Sequence, residues 1–476
     1  MFFVELAFDL NELQINTSLV THFLFKVSIW YLLISLYQWE RKLTQNPLAN
    51  LEGMKSKQFS LTLLTFCVAA ISGQQAAEAA ALTKLATGLD NARGVSFGSD
   101  GAIYVTEAGT GGDGTCVSSP SQQGGELCYG TSGAVTKIQN GKQERVLTNL
   151  PSLAAPNGTE AAGPHDIGFD SKGDPKLLMG YAANPNLRDS QLDTPEQPKA
   201  SDLGRLVDVD FENNSYTEIA DFASYESRNN PDGNDLVSNP LSFSVQEDTT
   251  YVVDAGGNNL LSVDADGSNL NNEAVFEART LENPTLPPRE ELPTPTSEVP
   301  EGSFSPEDLS LQSVPTGVAV DSDGSPYVSE LTGFPFPEDK AQIYRVGADG
   351  EQVYADGFTQ LVDVAFDKQN NLYALEHSVE SLWKGNPAGA LVKIAPDGTR
   401  TVVADGQDGL VYPTNVKLGP NGSVYVTNKG SIPGEGELVR VDSTTAVPEP
   451  SSTLGILTFG AFGAGSLLRR RRKLQS

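Results

Sequence analysis

Histidine, cysteine, methionine and tryptophan are each scarce, with three of each in 476 residues. So few thiols and imidazoles, scattered along the chain, exclude a Cys/His zinc site. Basic residues are also in the minority: 32 Lys and Arg face 61 Asp and Glu, a formal net charge of -29. That balance argues against nucleic acid or an anionic lipid surface as partner of the folded part and favours an acidic, well-solvated surface. No Gly-x-Ser-x-Gly elbow and no Walker-type loop is present, which disfavours nucleophilic acyl transfer and phosphoryl transfer. Long apolar runs are missing as well. Residues 23–37 are interrupted by Lys26 and Ser28, and residues 454–468 are short for a membrane span.

What the chain does contain is a repeated unit. Residues 315–330 read PTGVAVDSDGSPYVSE, two short alternating apolar strands folded across an Asp-x-Asp-Gly turn in which glycine supplies the positive φ. Related units occupy residues 92–107, 361–376 and 413–428, with weaker copies at 164–181, where the turn is longer, and 240–254, which lacks the glycine. Most are followed by a third strand and turn, as at 389–398, and a fourth strand such as 401–404. One four-stranded sheet cannot bury both faces unless neighbours stack on it, so this repeat predicts an all-β, six-bladed β-propeller spanning residues 82–442. The sixth unit ends near Val441 with no fourth strand, and residues 82–89 carry the fourth-strand pattern. The N-terminal strand is therefore expected to close the last blade.

Both ends of the chain read as address labels. Residues 1–53 match nothing downstream. Met54 opens a secretory signal over 54–80, with Lys55 and Lys57, an apolar stretch over 59–71 and an Ala-x-Ala site within 76–80. Translation is expected to start at Met54, a membrane segment over the first residues being the alternative. Cys67 lies inside the signal and leaves with it. Cys116 and Cys128 then remain, in a Gly/Ser-rich loop of the first blade. In an exported protein they are expected to form a bridge, contributing on the order of 3 kcal/mol in the chain-entropy model. Residues 279–313, rich in Pro and Glu, read as an exposed, mobile excursion, and 184–202 and 224–239 as shorter loop insertions.

At the C-terminus Val447, Pro448, Glu449 and Pro450 precede the apolar stretch 454–468 and the basic cluster 469–473. This order resembles the PEP-CTERM sorting signal. The resemblance implies the export machinery and an exosortase-type processing enzyme as partners, transient anchoring in the inner membrane, and an exported location in the periplasm, outer envelope or outside the cell.

The blade unit P-x-G-V-x-x-D-x-D-G-x-x-Y-V-x-E resembles the NHL-type repeat. Residues 88–95, the Gly-rich loop from Glu107, and Gly163-Pro164-His165-Asp166-Ile167 are similar to the ScyD/ScyE family of exported propellers, over roughly residues 82–442. That resemblance implies a link to scytonemin-type secondary metabolism or to extracellular polymer.

Candidate chemistry follows from the unit. In an antiparallel pair, the start of the first strand and the end of the second share one edge. Glu107, Asp254, Glu330, Glu376 and Asn428 end second strands, whereas Arg93, His165, Asp166, Thr316, Asp363 and Asn415 start first strands. All are expected at one end of the central channel. Two readings stand side by side. Glu107, Glu330, Glu376, Asp363 and Asn415 could hold Ca²⁺, as in gluconolactonase-like propellers that the pattern resembles. Alternatively each acid caps its own turn. His165, followed by Asp166, is a candidate general base, with a loop histidine bonded to backbone as the alternative. His377 after Glu376 is a weaker one. The function expected is a binding or scaffold module for a small molecule or extracellular polymer, the alternative being a metal-dependent, lactonase-like hydrolase. A quinone-dependent dehydrogenase would lack its basic residues.

Overall fold

The computed structural model describes residues 80–121, 125–286 and 308–442. The upstream extension, the signal peptide and the sorting segment containing Val447 to Pro450 lie outside the described residues. Within them the chain forms a ring of six four-stranded antiparallel blades. Blade 1 is built on Ala92–Phe97 and Ile103–Glu107, blade 2 on Pro164–Phe169 and Pro175–Met179, and blade 3 on Pro240–Gln246 and Thr249–Asp254. Blades 4 to 6 start with Pro315–Val320, Leu361–Phe366 and Asn415–Leu418. Ala81–Leu89 pairs antiparallel with Gly436–Asp442 as the outer strand of blade 6, so the two ends of the ring are joined as the sequence implied.

The core consists of the layers between blades. Alternation along each second strand sends successive side chains to opposite faces. Leu177 and Met179 pack toward blade 1 with Tyr104, Val135 and Leu150, while Leu178 packs toward blade 3 with Phe243, Val252 and Leu261. The same division recurs at every boundary, down to Leu89 and Leu438 of blade 6 against Val95 and Val105 of blade 1. The second strands Pro326–Glu330, Leu372–Glu376 and Val424–Asn428 are buried at every residue. Blade 3 makes its tight turn without glycine because Glu247 adopts φ 54°.

Three segments differ from the sequence reading. The Pro/Glu-rich excursion is anchored at its base by a two-stranded ribbon of Arg279–Glu282 and Asp308–Leu311, with Leu281 and Leu311 buried. Residues 224–239 are not all loop: Phe222–Asn229 is a helix, capped by Asp221 and seated by buried Phe222 and Ala223. Residues 184–202 hold short helical turns at Pro185–Leu187, Arg188–Leu192 and Ala200–Asp202, and their Leu192 and Ala200 pack under the long outer strands of blade 1. Those strands, Glu126–Gln139 and Lys142–Ala154, extend past the inner strand Ile103–Glu107, whose pairing stops at Ala134. There Cys116 lies directly opposite Cys128 and the two are joined by a disulfide.

Candidate functional site at the channel mouth

In blades 2 to 5 the first strand enters the ring through the same irregularity. Pairing skips one residue between Pro164 and Asp166, Pro240 and Ser242, Pro315 and Gly317, and Leu361 and Asp363. A bulge re-aims the side chains beside it, and here it turns two residues per blade toward the channel rim. The outer position is held by Arg93, His165, Leu241, Thr316, Val362 and Thr414. The next is held by Gly94, Asp166, Ser242, Gly317, Asp363 and Asn415.

This second position links neighbouring blades. Asp166 Oδ2 accepts from Phe243 N at 3.0 Å, Asp363 Oδ2 from Val416 N at 2.9 Å, and Asn415 Oδ1 from Val95 N at 3.1 Å, each donor being the backbone of the next blade. The two glycines make room for this, since a Cβ at Gly94 would collide with Asp166 and one at Gly317 with Asp363. Blades 1 to 3 therefore read Gly, Asp, Ser and blades 4 to 6 Gly, Asp, Asn, placing Asp166 and Asp363 three blades apart on opposite sides of the ring.

The mouth encloses a cavity of about 240 Å³ bordered by Arg93, Ser242, Thr316, Asp363, His377 and Asn415 among others. Burial pushes the Asp363 carboxyl up to about 8, with the Val416 N–H opposing and nearby Asp166 adding to the rise, so at neutral pH it is mostly a neutral hydroxyl donor. Burial also raises Asp166, against the pull of Lys417, which lies one pleat deeper on the same strand face as Asn415. His377 donates from Nδ1 to Pro413 O at 2.9 Å and stacks on Tyr412; burial lowers it to about 4. His165 makes the equivalent contact one half-ring away, Nδ1 to Pro240 O at 3.0 Å, and burial with Arg93 alongside lowers it to about 4. Both imidazoles are neutral at pH 7. Arg93 keeps its charge, although burial lowers it to about 10. Its guanidinium is steadied by the carbonyls of Gly430 and Ala161, and among the described residues it has no carboxylate partner within 4.0 Å.

The acids ending the second strands do not join this group. Glu107 accepts from Asp90 N, Thr136 Oγ1 and Arg145, and Glu330 is clamped by Arg279 through both oxygens. Glu376 accepts from Thr359 N and Asp254 from Asn239 N, Gly256 N and Gly257 N, while Asn428 accepts from Val411 N. Asp90, Asn239, Thr359 and Val411 all lie in the loop that delivers the chain to that blade's own first strand. These side chains clasp the loop to the blade. Among the described residues no three His, Cys, Asp or Glu side chains stand close enough to share an ion. The donor set Glu107, Glu330, Glu376, Asp363 and Asn415 is thus split, and what remains at the mouth does not fit a resident Ca²⁺: Asp363 and Asn415 already accept backbone N–H groups, and Arg93 faces the same space.

Sequence reasoning placed Arg93 and Thr316 at the rim but did not single them out, and it missed Ser242, Thr414 and Lys417. Aligning the six first strands was the available signal. The bulge that fixes which of their residues face inward is not written in any one copy.

Residues 446–473 match the family model of the PEP-CTERM protein-sorting motif, so the protein is an exported, envelope-directed one. Among the described residues no helix is long and apolar enough to cross a membrane. A comparison with curated proteins found no match. Among solved structures the chain is similar to a gluconolactonase from Xanthomonas campestris at 9% identity, covering 76% of this chain and 90% of that one with a TM-score of 0.43. It is also similar to an inactive variant of virginiamycin B lyase from Staphylococcus aureus, at 12% identity, 76% and 98% coverage and a TM-score of 0.39. A chain of a nidogen/laminin complex follows at 12% identity, 63% and 84% coverage and a TM-score of 0.36. Likeness at this level bears on neither substrate nor mechanism.

Proposed function

We propose that this protein is an exported binding module that takes a carboxylate-bearing ligand, free or as part of an extracellular polymer, into the channel mouth. The observation that carries this reading is Arg93, a guanidinium bordering the cavity without a carboxylate partner among the described residues. Around it the local charge runs against that of the whole molecule. In a chain of net charge -29 the mouth has one arginine, a deeper Lys417, neutral imidazole at His377 and a mostly protonated Asp363. An arginine fork matches a carboxylate in two places at once, and Thr316, Thr414 and Ser242 line the rim beside it, their hydroxyl protons held by Leu361 O, Ala92 O and Asp166 Oδ2. The resemblance to ScyD/ScyE proteins favours a ligand drawn from secondary metabolism or envelope polymer, and the sorting motif favours processing by an exosortase-type enzyme.

Galacturonate serves as the probe. Calorimetric titration of the purified chain should show saturable binding that Arg93→Met weakens at least tenfold, while Arg145→Met, at the clasp of blade 1, leaves the affinity intact. Equal affinities for native protein and Arg93→Met would overturn the reading. Turnover of gluconolactone that stops on addition of chelator would replace it with the lactonase alternative.

A further inference from the structure

Away from the channel, the boundary between blades 2 and 3 holds a buried carboxylate with no donor. Glu226 lies on the helix Phe222–Asn229, and that helix turns its face inward because Phe222 and Ala223 are packed beneath it. Its side chain is 1% exposed, yet neither Oε1 nor Oε2 has a hydrogen-bond partner. Both oxygens of a buried carboxylate normally find donors, because taking a charged group out of water without them is strongly unfavourable.

The groups around Glu226 are in the same condition. A Cβ at Gly257 would sit 2.9 Å from Glu226 Oε2 and 2.9 Å from Asn259 Nδ2, so the carboxylate and that amide flank one glycine. Asn259 is fully buried and neither of its amide atoms has a partner. Beside it Asn258 donates Nδ2 to Asp232 Oδ2 at 2.7 Å, which leaves its Oδ1 unpartnered, and Asn239 Oδ1 is unpartnered as well. Asp254 is close enough, with Asp232, to raise the carboxyl of Glu226 to about 8, burial being the larger cause. Neither acid can relieve Glu226, since both are acceptors. Among the described residues no lysine or arginine ion pair reaches it.

We propose that this cluster is a divalent-cation site, suited to Ca²⁺, with Glu226 as the charged ligand and side-chain oxygens of Asn258 and Asn259 beside it. A proton on Glu226 would satisfy one atom and leave the amide oxygens unpartnered, whereas a hard cation takes six to eight oxygens at once. The oxygen set contains carboxylate and amide groups only, and it has no soft ligand. With a single carboxylate at its centre the site belongs to the weak end of the range, a Kd on the order of 10⁻⁴–10⁻³ M, which extracellular calcium sites share. The ion would tie the helix after blade 2 to the loop at Gly256 and Gly257 in blade 3.

The test is a titration of the purified full chain with CaCl₂ into the millimolar range, read by calorimetry and by thermal melting after prior chelation. One ion should bind per chain, with a saturable rise in melting temperature. Glu226→Gln should weaken binding at least tenfold and Asn259→Ala several-fold. Asp363→Asn, at the channel mouth, should keep the native response. Absence of saturable Ca²⁺ uptake by the native chain overturns the proposal whatever the variants do. So does a native-like titration by Glu226→Gln, or loss of the response in Asp363→Asn, which would locate the ion in the channel. Galacturonate binding through Arg93 is read separately, so either idea can fail alone.

Discussion

Glu107 and Glu226 are both acids in a propeller interior, 0% and 1% exposed, and their surroundings are opposite. Glu107 meets a hydroxyl, a backbone N–H and the Arg145 guanidinium, all within 2.9 Å. Glu226 meets no donor at all. Burial therefore does not distinguish a structural acid from a ligand-binding one. The donor count does, because a carboxylate surrounded by N–H and O–H groups has nothing left to offer an ion, while one to which no donor is bonded does.

The contrast can be broken most severely at Glu107. Replacing it by alanine strands Asp90 N, Thr136 Oγ1 and part of Arg145. Hydrogen bonds to charged groups contribute about 1.5–3 kcal/mol each, and Arg145 keeps Asp90 and some solvent, so the expected loss is about 3 kcal/mol by denaturant unfolding. A loss under about 1 kcal/mol would mean that the clasp is ornamental.

Asp363→Asn is a milder change. Asparagine can still accept the Val416 N–H, as Asn415 accepts Val95 N in the next blade. Because the folded-state value of Asp363 is raised to about 8, the native fold holds a proton there that the unfolded chain loses near pH 4. Stability from this group is fully present below pH 4 and falls as pH rises toward 8. The variant should therefore match the native chain at pH 4 and gain on it in melting temperature up to about pH 8. A gap independent of pH would remove the raised carboxyl from the account.

The smallest effect is expected from Glu226→Gln in chelator at pH 4, where the carboxyl is protonated in the folded chain, its value being raised to about 8, and still mostly protonated in the unfolded one. Exchanging a protonated acid for a near-isosteric amide should change unfolding free energy by no more than about 0.5 kcal/mol. A large loss there would show that Glu226 already has a structural donor, and its difference from Glu107 would disappear.

The ring was legible in the sequence because each blade repeats a local signal: alternating apolar residues around a tight turn, as in Val318 to Val328. Even the closing strand could be inferred, from a gap after Val441. The site was less legible. Glu107 and Glu330 read as channel acids because their partners, Arg145 and Arg279, lie 38 and 51 residues away in chain, beyond any local pattern. The helix around Glu226 looks like loop in the sequence because FASYESRN is short and mostly polar, and its seat on blade 2 depends on only a few buried side chains. What distinguishes acids of equal burial is the company that folding brings to them.

The closing strand also sets an order of events. Thr83 bonds Asp442 across a separation of 359 residues, and Ala81 pairs with that same residue. No contact of blade 6 with Ala81–Leu89 can form until nearly the whole ring has been delivered, so in a chain exported from its N-terminus the first strand waits with an open edge while every other blade is laid down. Such a distant pairing is slow to find and concentrates the topological difficulty of folding in one late step. Once made, it brings the two points where the chain leaves the ring to the same edge of one sheet.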